Sequence, residues 1–282
     1  MTFGQALFLA FLQGATELFP VSSLGHTVLV PALLHWKIDR SDPSFLAFVV
    51  ALHFGTALAL IVFYRRDWAR ITRAFLAAVV RGRLGEDPDE KLAWLLLAGT
   101  IPVAIVGVLF ERPVRQLFGS PLLVAVFLMV NAAIMFAGEN LRRAERGSPA
   151  RPLATLPWSG AVKIGLSQAL ALLPGISRSG ASIVGGLVLG LSHDDAARFS
   201  FLLATPAIFA ASVLELPQLA APGASAVLFQ ALAGALLAGL TAYASVAFLT
   251  RYFHTNDLRP FGWYCLIFGA FCFVLAFAKV IA

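Results

Sequence analysis

The chain has 282 residues, of which 59% are hydrophobic and 13% charged, with 21 Lys and Arg against 15 Asp and Glu for a net charge of +6. Soluble domains carry roughly a quarter charged residues, so this composition excludes an ordinary soluble globular protein. The basic residues are not clustered with aromatics as a nucleic-acid surface requires, and no nucleic-acid partner is expected.

The apolar runs are long enough for helices to span about 30 Å of hydrocarbon, and nothing alternates with the period of two that a membrane barrel strand needs. The expected fold class is an all-α polytopic membrane protein with about six transmembrane helices plus two re-entrant helix pairs. It is expected to form one integral membrane domain over 1–282.

Residues 3–19 and 21–35 are each too short or too polar to span comfortably. They are expected to enter the membrane, break at 20–25 and return, which is tolerated only where protein or a water-filled cavity covers the break. The first segment lacks a basic leader and a small-residue cleavage site, and Gln13 and Glu17 interrupt it, so a cleaved signal peptide is not expected. Gln13 and Glu17 are four apart and share a helical face. Pro20 and Gly25 then interrupt the helix, and Ser22, Ser23 and His26 fall in or beside the interruption. Polar groups in hydrocarbon persist mainly where they line a site. The plainer alternative is a capped helix start, with Ser22 or Ser23 as the cap.

A span is expected at 45–63, followed by the most basic loop, 64–91, with Arg65, Arg66, Arg70, Arg73, Arg81, Arg83 and Lys91. Spans at 92–110 and 118–138 are joined by a short turn with Arg112, Pro113 and Arg115, and a second basic loop carries Arg142, Arg143, Arg146 and Arg151. The pair 158–173 and 180–191 repeats the opening pattern of two short halves around a break. Spans at 197–216, 224–249 and 262–281 complete the chain. Cys265 and Cys272 lie seven apart on one helical face, too far to bridge, and read as core or lipid-facing residues.

Placing 64–91, 139–157 and 250–261 in the cytoplasm gathers most Lys and Arg there, as the positive-inside rule expects. The first pair then enters from outside and the second from the cytoplasm, so the halves, about 1–140 and 150–282, are expected to form an inverted repeat. Gln13 precedes Ser22 by the same interval that separates Gln168 from Ser177.

The second break is the sharper signal. Gly175 and Gly180 free the backbone for a tight turn whose N–H groups suit an anion, and a helix starting near Ser179 points its N-terminus there. Arg178 adds a planar, always-charged fork for phosphate oxygens, with hydroxyls from Ser177, Ser179 and Ser182. The alternative for Arg178 is a side chain snorkelling to the interface. Opposite it, Glu17 offers a cation ligand or proton acceptor, with Gln13 to orient water or metal. His26 can activate Ser23, or serve as nucleophile or general acid itself. His53, four residues from Val49, reads as a buried, hydrogen-bonded histidine with a supporting role open. Together these groups suggest phosphoryl chemistry on a lipid-linked substrate.

At these residues the chain resembles the undecaprenyl pyrophosphate phosphatase family of bacterial inner-membrane enzymes, the bacitracin-resistance type, over nearly its whole length. Gln13 and Glu17 match its first motif, followed by Phe19 to Ser23 and by Gly25 and His26; Pro174 to Ser179 match its second. Further similarities lie at 53–56, at Ile101 and Pro102 with Gly107, at 196–203 and at 260–264, while Ser182 stands where the family usually has threonine.

The resemblance implies an interdigitated inverted-repeat fold and a hydrolase that converts undecaprenyl pyrophosphate to undecaprenyl phosphate, the carrier lipid for cell-wall glycans. It implies a site near the outer face of the membrane and a divalent cation, Mg2+ or Ca2+, held by Glu17 with Gln13. Glu17, Ser23, His26 and Arg178 carry the chemistry, and Ser22, Ser177, Arg178, Ser179 and Ser182 bind phosphate. Gln13, Gly175 and Gly180 support them. Whether Ser23 or His26 attacks phosphorus stays open, as does a homodimer. A transporter of a polyprenyl phosphate is the alternative, because broken helices meeting at mid-membrane also build carriers. A purely structural or anchoring membrane protein is a third reading, and polar groups at both breaks count against it.

Overall fold

A computed structural model describes residues 1–38, 42–117, 120–144, 149–215 and 228–281, the side chains of residues 43, 111–117, 214 and 215 excepted. Among the described residues the protein is helical, without a β-strand: α1 (Phe3–Glu17), α2 (Ser23–Leu33), α3 (Pro43–Phe63), α4 (Arg65–Arg81), α5 (Pro88–Leu117), α6 (Pro121–Ala144), α7 (Trp158–Ala169), α8 (Arg178–Val188), α9 (His193–Glu215), α10 (Leu228–Tyr252) and α11 (Arg259–Phe277). Six of these (α3, α5, α6, α9, α10 and α11) are long and apolar enough to cross a bilayer. The chain is a multi-pass membrane protein. Its surface is apolar where a lipid-facing helix requires it, with Leu236, Leu240, Ile267, Val274 and Phe277 exposed on α10 and α11.

Local chemistry sets several boundaries. Thr2 and Gln5 cap α1 reciprocally, the Gln5 N–H donating to Thr2 Oγ1 and the Thr2 N–H to Gln5 Oε1. Asp42 caps α3 by accepting from the Ser44 N–H. Two sequence expectations change. The basic segment after α3 is largely helix rather than loop, because α4 buries Ile71 and Ala78, seven residues apart, on one stripe and leaves its arginines on the others. The segment expected as a turn before 118 is the end of α5, which runs to Leu117, and residues 118–119 lie outside the described residues. Arg146, the end of the span expected at 197–216, and the start of the one expected at 224–249 also lie outside them.

The spans pack through small residues. α1 lies along α10 so closely that a Cβ on Gly14 would stand 2.2 Å from the Ala238 carbonyl oxygen. α7 lies along α5 in the same way, with Gly165 against the Gly99 carbonyl. Without a hydrophobic driving force inside lipid, such backbone approach gives van der Waals packing that larger side chains would prevent. α6 packs against α8, α2 and α11, between the two broken pairs.

Candidate active site

The first break spans Leu18 to Ser22, shorter than the 20–25 expected, and Gly25 and His26 lie inside α2. Ser22 is the N-cap of α2: its Oγ accepts from the Gly25 N–H at 3.2 Å, so the capping reading holds for this residue. Its backbone sits at φ 67°, a conformation that costs a non-glycine residue on the order of 1–3 kcal/mol. The sharp turn folds Ser23, in the first turn of α2, back over the last residue of α1. Ser23 Oγ donates to Glu17 Oε2 at 2.5 Å, and Gln13 Nε2 donates to the same oxygen at 2.7 Å.

His53 joins this group from α3. Its Nδ1 donates to the Val49 carbonyl at 2.9 Å, which leaves Nε2 to accept from the second Gln13 N–H at 3.2 Å, 3.8 Å from Glu17. It is hydrogen-bonded as its spacing suggested, but half-buried rather than buried, because it is also part of the site wall.

His26 sits elsewhere. Nδ1 donates to the Ser22 carbonyl at 2.7 Å, Nε2 accepts from the Tyr264 hydroxyl at 2.6 Å, and the ring stacks on Tyr264 and Phe268 of α11. Both nitrogens are taken, and neither bonds Ser23. The group bonded to the Ser23 hydroxyl is Glu17, not the expected histidine.

The second break is held by two devices. Gly175 adopts φ 112°, and a Cβ there would stand 2.4 Å from the Val124 carbonyl of α6, so this turn needs glycine for both conformation and space. Ser177, not Ser179, starts α8 as its N-cap, accepting from the Gly180 N–H at 3.2 Å. The Ser177 and Ser179 hydroxyls reach the Phe19 carbonyl of the first break at 3.3 and 3.1 Å. Asn131, buried at the middle of α6, ties both breaks together: its Nδ2 donates to the Pro20 carbonyl and its Oδ1 accepts from the Ser177 N–H, each at 3.0 Å. With the Ser177 and Gly180 N–H groups spent inside the protein, less of this turn is free for an anion than its sequence suggests. Ser182 is turned away, donating to the Arg178 carbonyl and lying 2.6 Å from Ser200 Oγ.

Arg178 joins the two breaks electrostatically. Its Nη2 donates to Glu17 Oε1 at 3.3 Å, 161 residues away in sequence, while its Nη1 is buried without a partner. It is no snorkelling arginine. A cavity of about 320 Å³ opens beside it, lined by Glu17, Ser22, Ser23, His53, Ser177 and Arg178 and otherwise mainly by apolar residues of α3, α5 and α9. Among the expected site residues Gln13, Gly175, Ser179, Gly180, Ser182 and His26 do not line it. Gln168 and Ser212 do, with no chemical signal along the chain to single them out; only the matching interval to Ser177 marks Gln168.

The donor set suits a divalent cation in part. No group of three His, Cys, Asp or Glu is present among the described residues. Glu17 has spare lone pairs, the buried Gln13 Oε1 has no partner, and Ser23 Oγ is adjacent. One carboxylate with neutral oxygens fits Mg2+ that takes its other ligands from phosphate and water.

A serine bonded to a carboxylate, itself paired to an arginine, on the wall of a largely apolar cavity inside a helical membrane protein is a donor set suited to a membrane-embedded hydrolase. Comparison with known proteins sharpens that class. The chain belongs to the bacitracin resistance protein BacA family, whose model matches residues 6–271. It is 49% identical over 269 residues to undecaprenyl-diphosphatase 2 of Chromobacterium violaceum, covering 94% of this chain and 95% of that one. It is 48% identical over 276 residues to undecaprenyl-diphosphatase of Acidiphilium cryptum, covering 96% of each. With undecaprenyl-diphosphatase of Mycobacterium avium it shares 47% identity over 292 residues and 95% of each chain.

Proposed function

We propose that the chain hydrolyses undecaprenyl pyrophosphate to undecaprenyl phosphate and inorganic phosphate in the bacterial inner membrane, recycling the lipid carrier of cell-wall synthesis. The observation that carries this is the bonded series Ser23–Glu17–Arg178, drawn from both helix breaks to one cavity wall. A carrier needs the arginine and the helix ends; it has no use for a hydroxyl bonded to a carboxylate, so this series favours the enzyme over the transporter.

Arg178 binds the terminal phosphate through its unpaired Nη1. Ser23 Oγ attacks the terminal phosphorus while its proton passes to Glu17. The new Oγ–P bond forms as the bond from that phosphorus to the bridging oxygen breaks, and the electron pair stays with the lipid phosphate, which takes the proton from Glu17. Glu17 then accepts a proton from the water that attacks the phosphoserine, and that proton returns to Ser23 Oγ as inorganic phosphate leaves. Glu17, with Gln13 Oε1, would hold a divalent cation, which would supply positive charge to the phosphate. Ser23 is the nucleophile in this scheme because the His26 nitrogens are both engaged and its ring does not line the cavity.

The cavity opens to the outer side in this proposal, with the basic segments cytoplasmic, and the halves are an inverted repeat. Three parallels support the repeat. A glutamine stands nine residues before each N-cap serine. Each cap accepts from a glycine three residues on at 3.2 Å. And α1 runs along α10 as α7 runs along α5. The deciding experiment is phosphate release from undecaprenyl pyrophosphate by purified protein with and without chelator. Release that stops with chelator supports the scheme; binding of the lipid without release points to a carrier.

A further inference from the structure

Gln168 and Ser212 line the cavity from α7 and α9 and take no part in the Ser23–Glu17–Arg178 series. Gln168 is 1% exposed, and neither its Nε2 nor its Oε1 has a partner; Ser212 is 3% exposed, and its hydroxyl has none. Buried polar groups are rarely left unmatched unless a ligand or water completes them. The other unpartnered side chains among the described residues include Trp68, Trp94 and Gln230, none of which lines this cavity.

The state of Ser212 is telling. A helical hydroxyl in apolar surroundings ordinarily turns back on the carbonyl four residues earlier. Thr205 of the same helix does so, to Phe201 at 3.2 Å, as do Thr16, Thr56 and Thr100 on other helices. Ser212 does not. It stands four residues after Ile208, and Gln168 four before Leu172, and both of these apolar residues are also on the cavity wall. The two unpartnered polar residues thus stand beside apolar lining, a juxtaposition that suits a polar head joined to a hydrocarbon chain.

We propose that Gln168 and Ser212 hold the phosphate that stays on the lipid, an inference that rests on the phosphatase function above. The terminal phosphate is served by Ser23, Glu17 and Arg178. When the bond to the bridging oxygen breaks, the electron pair moves onto the lipid phosphate, and Gln168 Nε2–H and Ser212 Oγ–H are the donors that meet that charge. Gln168 Oε1 accepts from water of the hydrated head. Neutral donors suit this position because they stabilise the leaving phosphate without competing with Arg178 for the terminal one.

The test compares the wild type with Gln168→Met, Gln168→Glu and Ser212→Ala, each purified in detergent. Readouts are initial rates on undecaprenyl pyrophosphate, inhibition by inorganic pyrophosphate and by inorganic phosphate, and thermal unfolding. Losing one hydrogen bond to a charged group predicts a fall in kcat/KM of roughly tenfold or more for Gln168→Met and Ser212→Ala, and a larger one for the like-charged Gln168→Glu. Pyrophosphate inhibition should weaken while phosphate inhibition, which needs only the terminal subsite, stays unchanged. The unfolding midpoint of Gln168→Met should hold or rise, because an unmatched buried amide is removed. Wild-type kinetics in Gln168→Met and Ser212→Ala overturn the inference, as does activity lost together with a lowered unfolding midpoint. A wild type that releases no phosphate overturns the proposed function and this inference together; an active wild type with unchanged variants overturns the inference alone.

Discussion

Ser23 Oγ donates to Glu17 Oε2 across 2.5 Å, from the first turn of α2 to the last residue of α1. The turn at 18–22 is what makes a serine six residues downstream face the carboxylate. Ser23→Ala and Glu17→Gln should each reduce kcat by about 10²–10⁴-fold, the range of general acid–base catalysis. The double variant should lose little more than either single one, because the two groups act as a unit. Independent, multiplying losses in initial-rate assays would break the pairing.

Arg178 donates Nη2 to Glu17 and keeps a buried Nη1 without a partner beside the site. A lysine keeps the charge but cannot serve two partners as a planar fork. Arg178→Lys should lower kcat/KM by on the order of 10²-fold, about two charge-assisted hydrogen bonds, and Arg178→Ala should abolish turnover while the protein stays folded in detergent. Full activity in Arg178→Ala would remove the phosphate-binding role.

Glu17 is the carboxylate among the proposed cation ligands. Glu17→Ala should abolish the response of binding to added divalent cation, read as the cation-dependent shift in thermal unfolding of the purified protein. An unchanged shift would put the cation elsewhere.

Asn131 bridges the Pro20 carbonyl and the Ser177 N–H. Asn131→Leu leaves the Ser177 N–H buried and unmatched and the Pro20 carbonyl with only the long Cys265 Sγ–H contact at 3.8 Å, which should cost roughly 1–3 kcal/mol and lower the unfolding midpoint. Turnover should fall too, although Asn131 does not line the cavity, because Glu17 and Arg178 ride on the two breaks it joins. A variant that is stable and fully active would show that the breaks hold their registry without it.

The proposed orientation predicts that a cysteine replacing Glu86 is shielded from impermeant maleimide in intact cells and labelled after lysis. Cys265 and Cys272 are buried and free, so the background from native thiols should be low. Labelling in intact cells would invert the topology.

Hydropathy alone located the spans, because a helix in lipid satisfies its own backbone and needs only enough apolar length. The two breaks were also legible, since proline and glycine act locally and polar residues in apolar runs are conspicuous. Near these breaks lay Glu17, Ser23 and Arg178. The basic segment at 65–81 reads as loop along the chain because its charges mask a narrow apolar stripe that becomes a helix face only against its neighbours.

The order of residues is enough to place where the chain crosses, where it breaks and which chemical types gather at the breaks. Which of them meet is set by packing in three dimensions. It paired Ser23 with Glu17 and sent His26 to Tyr264, 238 residues away. It brought in Asn131 from α6, His53 from α3, and Gln168 and Ser212 from α7 and α9. The reason is geometric. Hydropathy and breakers act over a few residues, whereas the direction of a buried side chain depends on how helices distant in sequence pack around it.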